Sequence, residues 1–412
     1  MNKEVFIKNR EKLLEQLPDN SMVVLFAGVA PRKSGDETYA FTPNRNFYYL
    51  TGDDETRDIL MLVKTPMMSL THMFILPYDE VQAKWVGETY SKEKIQELSG
   101  INDVRYLDSF ESTLHMYMQH LGCEHIYLDL ERQGYNESKT IPQEFAATIK
   151  DKYPSVKIEN IYGKIAELRM IKSSEEIEEM KKAIHITNLG LEAIMKSIAS
   201  NKSEKEMQAL FEYTVVVNGA EDLAFPTIAA SGKNGCVLHY NENNCKIQKD
   251  SLALFDLGAQ HHYYKSDITR TYPVDGKFTP RQRQIYDIVL AGQKLIIESA
   301  KPGLTTRGLN QLLINFYQEE LLKIGLIKTP AEVSKYYFHG VSHHLGLDTH
   351  DVSVPCELQP GMVITVEPGL YIAEEGIGIR IEDDVLITED GCEVLSKEII
   401  KDPDEIESYM KK

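Results

Sequence analysis

The sequence has few cysteines for its 412 residues, and none of them forms a metal-binding or redox pair. There are five, and no two are separated by only two residues as in a CxxC motif. An odd number of scattered cysteines does not indicate a disulfide framework, so we expect reduced thiols in a cytoplasmic protein. The five are Cys123, Cys236, Cys245, Cys356 and Cys392.

Long apolar runs are also missing. The longest, "MVVLFAGVA", has nine residues and is followed by Pro31 and Arg32, whereas a membrane-spanning helix needs about 20. A run of that length fits a buried strand instead. The opening segment "MNKEVFIKNREKLLEQLPDN" is charged throughout and lacks the apolar core of a signal peptide. We therefore expect no membrane partner.

Positive charge is in deficit. Lysine and arginine number 45 against 63 aspartates and glutamates, which gives a formal net charge of -18 without one long acidic block. This balance argues against nucleic acid as a partner and favours a solvated surface. The hydrophobic fraction of 42% is that of an ordinary globular protein. The chain is long enough for two or three domains, each with its own core.

The first part of the chain, residues 1–160, alternates between helical and strand patterns. "KNREKLLEQL" has the spacing of an amphipathic helix, and four short apolar runs are typical of buried strands. This alternation predicts an α/β domain built on a mostly buried sheet. The four runs are "SMVVLFAG", "DILMLVK", "HMFILP" and "EHIYLDL".

A second domain, residues 161–412, is predicted to open with helices. Ser173 and Glu176 have the spacing of a capping box, and Ile177, Met180 and Ile184 follow at helical intervals. Beyond Asp222 the pattern changes to strands and turns, with a single helical interval at "RQIYDIVLAGQKLIIESA". The expected fold class is therefore an α/β N-terminal domain followed by an α+β C-terminal domain.

One stretch, "HGVSHHLGLDTHD", holds four of the chain's 12 histidines. Such a cluster could bind a metal, transfer protons or line a polar core. The stretch alone does not decide between these roles, but two acidic hairpins elsewhere in the second domain bear on the choice.

The segment "LALFDLGAQHHYYKSDITRTYPV" has the pattern of a β-hairpin with a polar turn at Gln260–His262. If the turn centres between His261 and His262, Asp256 and Asp267 lie opposite each other. The segment "GMVITVEPGLYIAEEGIGIRIEDDVLI" repeats the arrangement. There Glu367 and Glu382 are predicted to lie opposite each other in a hairpin whose turn is at residues 374–375.

The two predicted hairpins bring together four carboxylates. Asp256 follows the apolar run "LALF", and buried acids are rare unless they are paired or bind a metal. Opposed carboxylates repel unless a cation lies between them. Two divalent cations would neutralise four carboxylates, and a hydroxide bridging them would supply a nucleophile for hydrolysis. A histidine from the stretch described above would complete the ligand set.

These motifs together resemble, in order and spacing, those of the Xaa-Pro aminopeptidases, which are pita-bread metallopeptidases. The second-domain motifs are "FPTIAASGKN", "LHYNEN", "DLGAQHHYYKSDITRTYPVDGKF", "HGVSHHLGLDTHD", "VEPGLYI" and "GIRIEDD". In the first domain, "YAFTPNRNFYYLTG" and "KWVGE" are similar to the aminopeptidase P N-terminal domain. The resemblance thus covers nearly the whole chain and implies a pita-bread fold for the second domain.

The resemblance implies a dinuclear metal site, with Glu367 also acting as general base. Family members usually use manganese, and four hard oxygen ligands with one imidazole suit Mn²⁺. Zinc, cobalt and iron remain alternatives. The implied ligands are Asp256, Asp267, His343, Glu367 and Glu382.

Further roles follow from the same resemblance. His350 matches the histidine that stabilises the oxyanion, and His239 matches a second proton-handling histidine. His339 matches a residue lining the proline pocket, and Arg380 an arginine beside the Glu382 ligand. Trp85, the chain's single tryptophan, matches one that reaches a neighbouring subunit's active site. No family role is assigned to His261, His262 and His344, which we interpret as surface or turn residues.

The expected function is removal of an N-terminal residue that precedes proline, by a cytoplasmic metal-dependent aminopeptidase. Its partners would be peptides with proline at the second position, and it would form a homodimer or homotetramer. Two alternatives remain open at this point. One is a prolidase that cleaves only Xaa-Pro dipeptides, and the other is a catalytically inactive pita-bread scaffold protein.

Overall fold

The computed structural model describes residues 1–120, 122–132 and 134–411. Within it the chain divides into two units, unit 1 (Met1–Arg169) and unit 2 (Met170–Lys412). The division falls later than the boundary predicted near residue 160. The helix between the two positions, Tyr162–Met170, follows the buried Ile161, and its own Ile165 is also buried.

Unit 1 is built on a six-stranded mixed sheet with the order β6-β5-β4-β1-β7-β8. All four predicted strand segments are present in this sheet, as β1, β4, β5 and β7. Apolar side chains on its strands form a core with residues of the flanking helices. The strands of unit 1 are β1 Ser21–Phe26, β2 Arg32–Ser34, β3 Glu37–Thr38, β4 Ile59–Lys64, β5 Ser69–Ile75, β6 Asp103–Tyr106, β7 His125–Leu128 and β8 Lys157–Asn160.

Helices of unit 1 begin at the residues that favour caps. The side chain of Asn2 caps the predicted amphipathic helix, and that of Ser91 caps a later one. The helices are α1 Lys3–Glu15, α2 Arg45–Thr51, α3 Glu80–Val86, α4 Lys92–Ser99, α5 Phe110–His120, α6 Ile141–Lys152 and α7 Tyr162–Met170. Arg169 at the end of α7 donates a 2.8 Å hydrogen bond to the side-chain oxygen of Asn46, which fixes this helix within unit 1.

Unit 2 opens with two long helices, as predicted. The Ser173 side chain accepts from the Glu176 backbone N–H and the Glu176 side chain accepts in return, so the predicted capping box is present. The prediction of one later helix was wrong, because a second long helix follows it. The helices are α8 Ser174–Ser197, α9 Glu204–Val217, α10 Pro280–Ser299, α11 Thr306–Lys323 and α12 Pro403–Tyr409.

The strands of unit 2 are short and pair mostly as antiparallel hairpins. They form sheets of two or three strands, and their side chains are largely buried. The strands are β9 Asp222–Leu223, β10 Ile228–Ser231, β11 Leu252–Leu257, β12 Ala259–His261, β13 Tyr264–Lys265, β14 Ile268–Pro273, β15 Val363–Val366, β16 Gly369–Ile372, β17 Ile377–Arg380, β18 Asp383–Ile387 and β19 Cys392–Val394.

The first hairpin is present, but its predicted register was wrong by two residues. Asp256 lies opposite Thr269, and His261 lies opposite Tyr264, so the turn consists of His262 and Tyr263. Both turn residues have positive φ, 47° and 66°, as in the two-residue turns that favour Asn-Gly. The sequence His-Tyr gave no such signal. Asp267 is therefore a diagonal neighbour of Asp256, not its direct partner.

The second hairpin has the predicted register. Val366 lies opposite Asp383, and Gly369 lies opposite Arg380. The two positions between them, Glu367 and Glu382, therefore face each other as expected from the sequence.

Among the described residues, no helix is both long and apolar enough to cross a lipid bilayer.

Candidate metal centre and active site

A cavity of about 520 Å³ lies in unit 2 between the two hairpins and the histidine-rich stretch. All nine predicted site residues of unit 2 line it, so the structure brings them together. They are His239, Asp256, Asp267, His339, His343, His350, Glu367, Arg380 and Glu382.

The hairpins deliver their carboxylates at the same kind of position, an acid followed two residues later by glycine. A β-carbon at Gly258 would overlap the carbonyl oxygen of Ser266 on the facing strand. One at Gly369 would lie 2.5 Å from the Tyr371 hydroxyl. Glycine is therefore needed at both positions because another group approaches the backbone closely. The shared acid-x-Gly pattern reflects this requirement.

His343 lies between carboxylates of the two hairpins. Its Nε2 is 3.5 Å from Asp267 Oδ2 and 3.5 Å from Glu367 Oε1. Its Nδ1 is 3.0 Å from the carbonyl oxygen of His344, a contact in which Nδ1 carries the proton. That hydrogen bond directs Nε2 toward the carboxylates. Ligand atoms of Asp267, His343 and Glu382 all lie within 4.8 Å of one another, a spacing that could hold a metal ion.

The Glu382 carboxylate is fixed by the first hairpin. The Thr269 hydroxyl donates a 2.7 Å hydrogen bond to Glu382 Oε2, and the Glu382 backbone N–H donates to the Thr269 carbonyl at 3.0 Å. Thr269 therefore joins the two hairpins at the cavity. The sequence analysis did not identify it, although it lies two residues beyond Asp267 on the same strand face.

Behind these hairpins lies the fully buried guanidinium of Arg270. It donates to the Glu382 carbonyl at 2.6 Å and to Asp383 Oδ1 at 2.7 Å. It also donates to the carbonyl oxygens of Ile399 and Ile400, each at 3.1 Å. The charge of Arg270 is thus satisfied jointly by the second hairpin and a segment close to α12.

Asp256 is only partly satisfied by hydrogen bonds. Arg380 donates to Asp256 Oδ2 at 2.5 Å, whereas Asp256 Oδ1 is buried and has no hydrogen-bond partner among the described residues. Arg380 was expected beside Glu382, but its direct ionic partner is Asp256. It reaches Glu382 through Thr269, whose hydroxyl accepts from Arg380 Nε at 3.0 Å.

Burial and like charges raise the pKa values of three cavity carboxyls, those of Asp256, Glu367 and Glu382. Burial raises the pKa of Asp256 to about 6, opposed by Arg380 and assisted by Asp267. Burial likewise raises the pKa of Glu367 to about 7, opposed by His343 and Arg380. For Glu382, burial and the charges of Asp267 and Glu367 hold the pKa well above its usual value. The site thus disfavours the four negative charges unless more positive charge is present.

The pKa of His343 is raised, which favours its positively charged form beside the carboxylates. Burial alone would lower the pKa of His343, but its hydrogen bond and attraction to Asp267 raise it to about 9. The cavity therefore attracts positive charge. Three buried carboxylates, the half-buried carboxylate of Glu367, one imidazole and an unpartnered Asp256 oxygen fit divalent cations, for which these are suitable donor groups.

Two further histidines are held as neutral rings at the cavity. Burial, followed by the charge of Arg380, lowers the pKa of His339 to about 4. Its Nε2 is 2.9 Å from the Tyr371 hydroxyl. Burial and the charge of His343 also lower the pKa of His350, whose ring centre is 4.4 Å from that of His343. The neutral His339 ring donates from Nδ1 to the Gly340 carbonyl at 2.7 Å and accepts at Nε2 from Tyr371, whereas His350 can serve as a hydrogen-bond donor near neutral pH.

His239 reaches the cavity on a loop between β10 and β11. The buried Glu204 carboxylate fastens this loop by accepting from the Ser231 hydroxyl at 2.8 Å and the Asn234 amide at 3.0 Å. It also accepts from the Tyr240 hydroxyl at 2.8 Å and the Cys245 backbone at 2.9 Å. Sequence reasoning missed Glu204, since a single acid on a helix carries no signal of burial.

The structure also places the three histidines without an assigned role and Trp85. His344 was interpreted as a surface or turn residue, but it is buried, and burial lowers the pKa of His344 to about 4. His261 and His262 do lie at a turn, as predicted. Trp85 lies on α3 in unit 1 and is 84% exposed, so within one copy it does not belong to the cavity lining described above.

The sequence matches two protein-family profiles. Residues 178–389 match Metallopeptidase family M24, and residues 6–127 match Aminopeptidase P, N-terminal domain. The chain is 33% identical to the Xaa-Pro aminopeptidase of Escherichia coli K12, over 100% of this chain and 98% of the relative. The chain belongs to metallopeptidase family M24.

Solved structures agree with this assignment. A structure from Bacillus anthracis assigned to aminopeptidase P is 48% identical, with a TM-score of 0.98 over 100% of this chain and 98% of that one. Aminopeptidase P from E. coli with the inhibitor Pro-Leu is 31% identical, with a TM-score of 0.92 over 100% and 98%. Within its family, the chain is thus a metal-dependent peptidase of the Xaa-Pro aminopeptidase type. The predicted α/β domain followed by a pita-bread domain is confirmed.

Proposed function

We propose that this chain hydrolyses the bond between an N-terminal residue and a following proline, using two divalent metal ions. The observation that carries the proposal is the cavity lined by four carboxylates, three of them buried, and by the His343 imidazole. The residues that would hold the ions are Asp256, Asp267, His343, Glu367 and Glu382. When bound, a pair of divalent ions supplies Lewis acidity and a hydroxide nucleophile at neutral pH.

Manganese is the proposed metal in both positions. Carboxylate oxygens are hard ligands and suit Mn²⁺, while a single imidazole does not favour softer metals strongly. The donor set also accepts zinc, and a zinc-substituted E. coli aminopeptidase P is among the solved relatives, with a TM-score of 0.91 and 31% identity. Which metal ion occupies the site therefore depends on the ligand atoms and on which metal ions are available to the protein.

The chain's own residues would handle the protons and the developing charge. Glu367, which lines the cavity, would accept the proton of the attacking water. His350 would donate a hydrogen bond to the oxyanion that forms on the scissile carbonyl. His239, on the loop between β10 and β11, would bind the substrate and assist proton transfer. The free amine of the substrate would lie against Asp256.

Proline specificity requires a site that accepts a tertiary amide with no N–H and a fixed φ. His339 offers such a surface, since its ring lies 4.9 Å from Tyr337 and 5.5 Å from Tyr371, centre to centre. The cavity also has an apolar wall, formed by Phe225, Pro226, Ile228 and Leu238. Arg380 would hold both Asp256 and Tyr371 in place beneath that surface.

Three peptide classes test this proposal. With added Mn²⁺, Xaa-Pro-Yaa tripeptides and longer peptides should be cleaved efficiently, Xaa-Pro dipeptides less well, and Xaa-Ala-Yaa peptides hardly at all. A kcat/KM that is highest for dipeptides and negligible for tripeptides would establish a prolidase instead. No turnover of any class by fully metal-loaded protein would favour an inactive scaffold.

We further propose a cytoplasmic homodimer or homotetramer in which Trp85 of one copy lies at the active site of another. The support is the exposure of this large apolar ring on α3, where Val81 and Val86 are also exposed. An exposed apolar group of this kind is typical of an interaction surface.

A further inference from the structure

A second group of metal-binding side chains lies outside the cavity, where the tip of the first hairpin meets α8. Its members are Glu179 on α8, His261 at the end of β12 and His262 in the turn. One ligand atom from each lies within 4.8 Å of the other two. Neither the peptidase chemistry nor the cavity uses any of these residues.

The two imidazoles converge on a single carboxylate oxygen. His261 Nδ1 is 2.6 Å and His262 Nδ1 is 3.0 Å from Glu179 Oε2, and the two ring centres are 4.4 Å apart. Glu179 is largely buried, and its pKa is lowered because Lys182 and both histidines outweigh the effect of burial. A carboxylate and two ring nitrogens thus already point at one another.

The surrounding structure holds this arrangement in place. The Tyr264 hydroxyl donates to Glu176 Oε1 at 2.9 Å, and Thr187 and Ser266 share a 2.7 Å hydrogen bond. These contacts join α8 to the hairpin on either side of the cluster. The three ligands therefore come from two elements already fixed relative to each other, which lowers the cost of ordering them around an ion.

We propose that Glu179, His261 and His262 form a binding site for a transition-metal ion such as Zn²⁺, separate from the carboxylate-rich cavity. Two imidazole nitrogens and one carboxylate oxygen suit Zn²⁺, Cu²⁺ or Ni²⁺ better than Mn²⁺. The cavity, with four carboxylates and one imidazole, has the opposite preference. Two sites with different donor sets can then take up different metals.

Charge and exposure are compatible with an ion at this position. Lys182 lies 3.2 Å from Glu179, but its side chain is 53% exposed and can turn into solvent. Glu221 Oε1 lies 3.8 Å from His262 Nε2 and adds negative charge on the outer side. The side chain of His262 is 44% exposed, so solvent can reach an ion bound there. An ion here would clamp the hairpin tip to α8.

Metal content of the full-length protein tests the site. We compare wild type with a His261→Gln/His262→Asn variant after equilibrium dialysis against Zn²⁺ and elemental analysis. Asparagine tolerates the positive φ at position 262, and glutamine keeps a hydrogen bond to Glu179. The variant should bind one zinc ion fewer per chain. Equal zinc content in the two proteins would overturn the proposal.

Three further proteins make the result specific. His185→Gln is the matched control, since His185 is an exposed histidine on the same helix and should keep the full zinc content. Loss of zinc there as well would also overturn the proposal. If the double variant folds poorly, Glu179→Gln takes its place and should show the same loss of one zinc ion per chain. Glu382→Ala should lose metal from the cavity while keeping this ion, so the two sites can fail independently.

A second measurement does not depend on counting ions. Zinc should raise the Tm of the wild type by several degrees more than that of the double variant, because only the wild type gains the clamp. Identical zinc-induced shifts in both proteins would contradict the site. Added Mn²⁺ should not produce this difference.

Discussion

Glu382 and Asp267 carry the charge on which metal binding depends most directly. Each supplies a buried carboxylate to the group that includes His343. Replacing either with alanine should remove at least one metal ion and abolish turnover, because the remaining ligands no longer balance the ions' charge. Elemental analysis of the purified variant, together with a tripeptide assay, checks this. Two retained metals with activity near wild type would refute the ligand assignment.

Glu367 makes the stability of the metal-free protein depend on pH. Its pKa, raised from 4.5 to about 7, shows that the folded state favours the protonated carboxyl. Its stabilising contribution is therefore complete below about pH 4.5 and is lost as the pH rises through about 7. Glutamine mimics the protonated form at every pH. Metal-free Glu367→Gln should thus be more stable than wild type at pH 8, by about 1–3 kcal/mol.

Urea unfolding of chelator-treated protein at pH 4.5 and pH 8 measures this difference. The two proteins should be nearly equal at the lower pH. With Mn²⁺ added at pH 8 the order should reverse, since only the wild type keeps the ligand. A stability difference that stayed constant between the two pH values would show that Glu367 does not titrate in this range.

At the scale of secondary structure, apolar runs and an evident turn were the reliable signals. The strands of unit 1 could be predicted because they are short apolar runs, and the register of the second hairpin could be predicted because its turn at residues 374–375 is evident. The first hairpin was misplaced because its turn uses His262 and Tyr263 with positive φ. Histidine and tyrosine are rarely found in two-residue turns with positive φ, so the sequence pattern could not locate this turn.

The missed helix α11 is a different kind of error. Leu309, Leu313, Tyr317 and Leu321 are spaced four apart and are all fully buried. The signal was therefore present and was obscured by the surrounding strand and turn patterns. By contrast, the network of Arg380, Thr269 and Tyr371 joins residues distant in sequence. Predicting such contacts requires the folded arrangement of both hairpins.

The loop that carries His239 depends on α9 through Glu204. Glu204→Gln leaves one acceptor oxygen where two now receive hydrogen bonds from four residues. We expect a loss of about 2–3 kcal/mol in the free energy of unfolding, since hydrogen bonds to a buried charge are strong. Glu212→Gln on the same helix keeps an oxygen that can accept its 2.8 Å hydrogen bond from Gln208 at a less buried position, so it should change stability little. Urea denaturation compares the two, and equal losses would exclude a special role for Glu204.

For the molecule as a whole, the proposed oligomer gives Trp85 a role between copies. If Trp85 reaches the active site of another copy, Trp85→Ala should raise KM for tripeptides and longer peptides with the fold intact. Met67→Ala is a suitable control, because Met67 is 87% exposed in the same unit. Kinetics with peptides of increasing length, with size-exclusion chromatography of each variant, provide the measurement. Unchanged KM values would leave Trp85 with no role in the site.

The buried charge of Arg270 affects how far unit 2 can fold while the chain is still being synthesised. Its guanidinium is satisfied partly by the carbonyl oxygens of Ile399 and Ile400, and an unpaired buried charge is strongly unfavourable. During synthesis the hairpins emerge from the ribosome before Ile399 and Ile400. A nascent chain that has not yet released residue 400 cannot enclose Arg270, so unit 2 cannot complete its fold while the two hairpins alone are available.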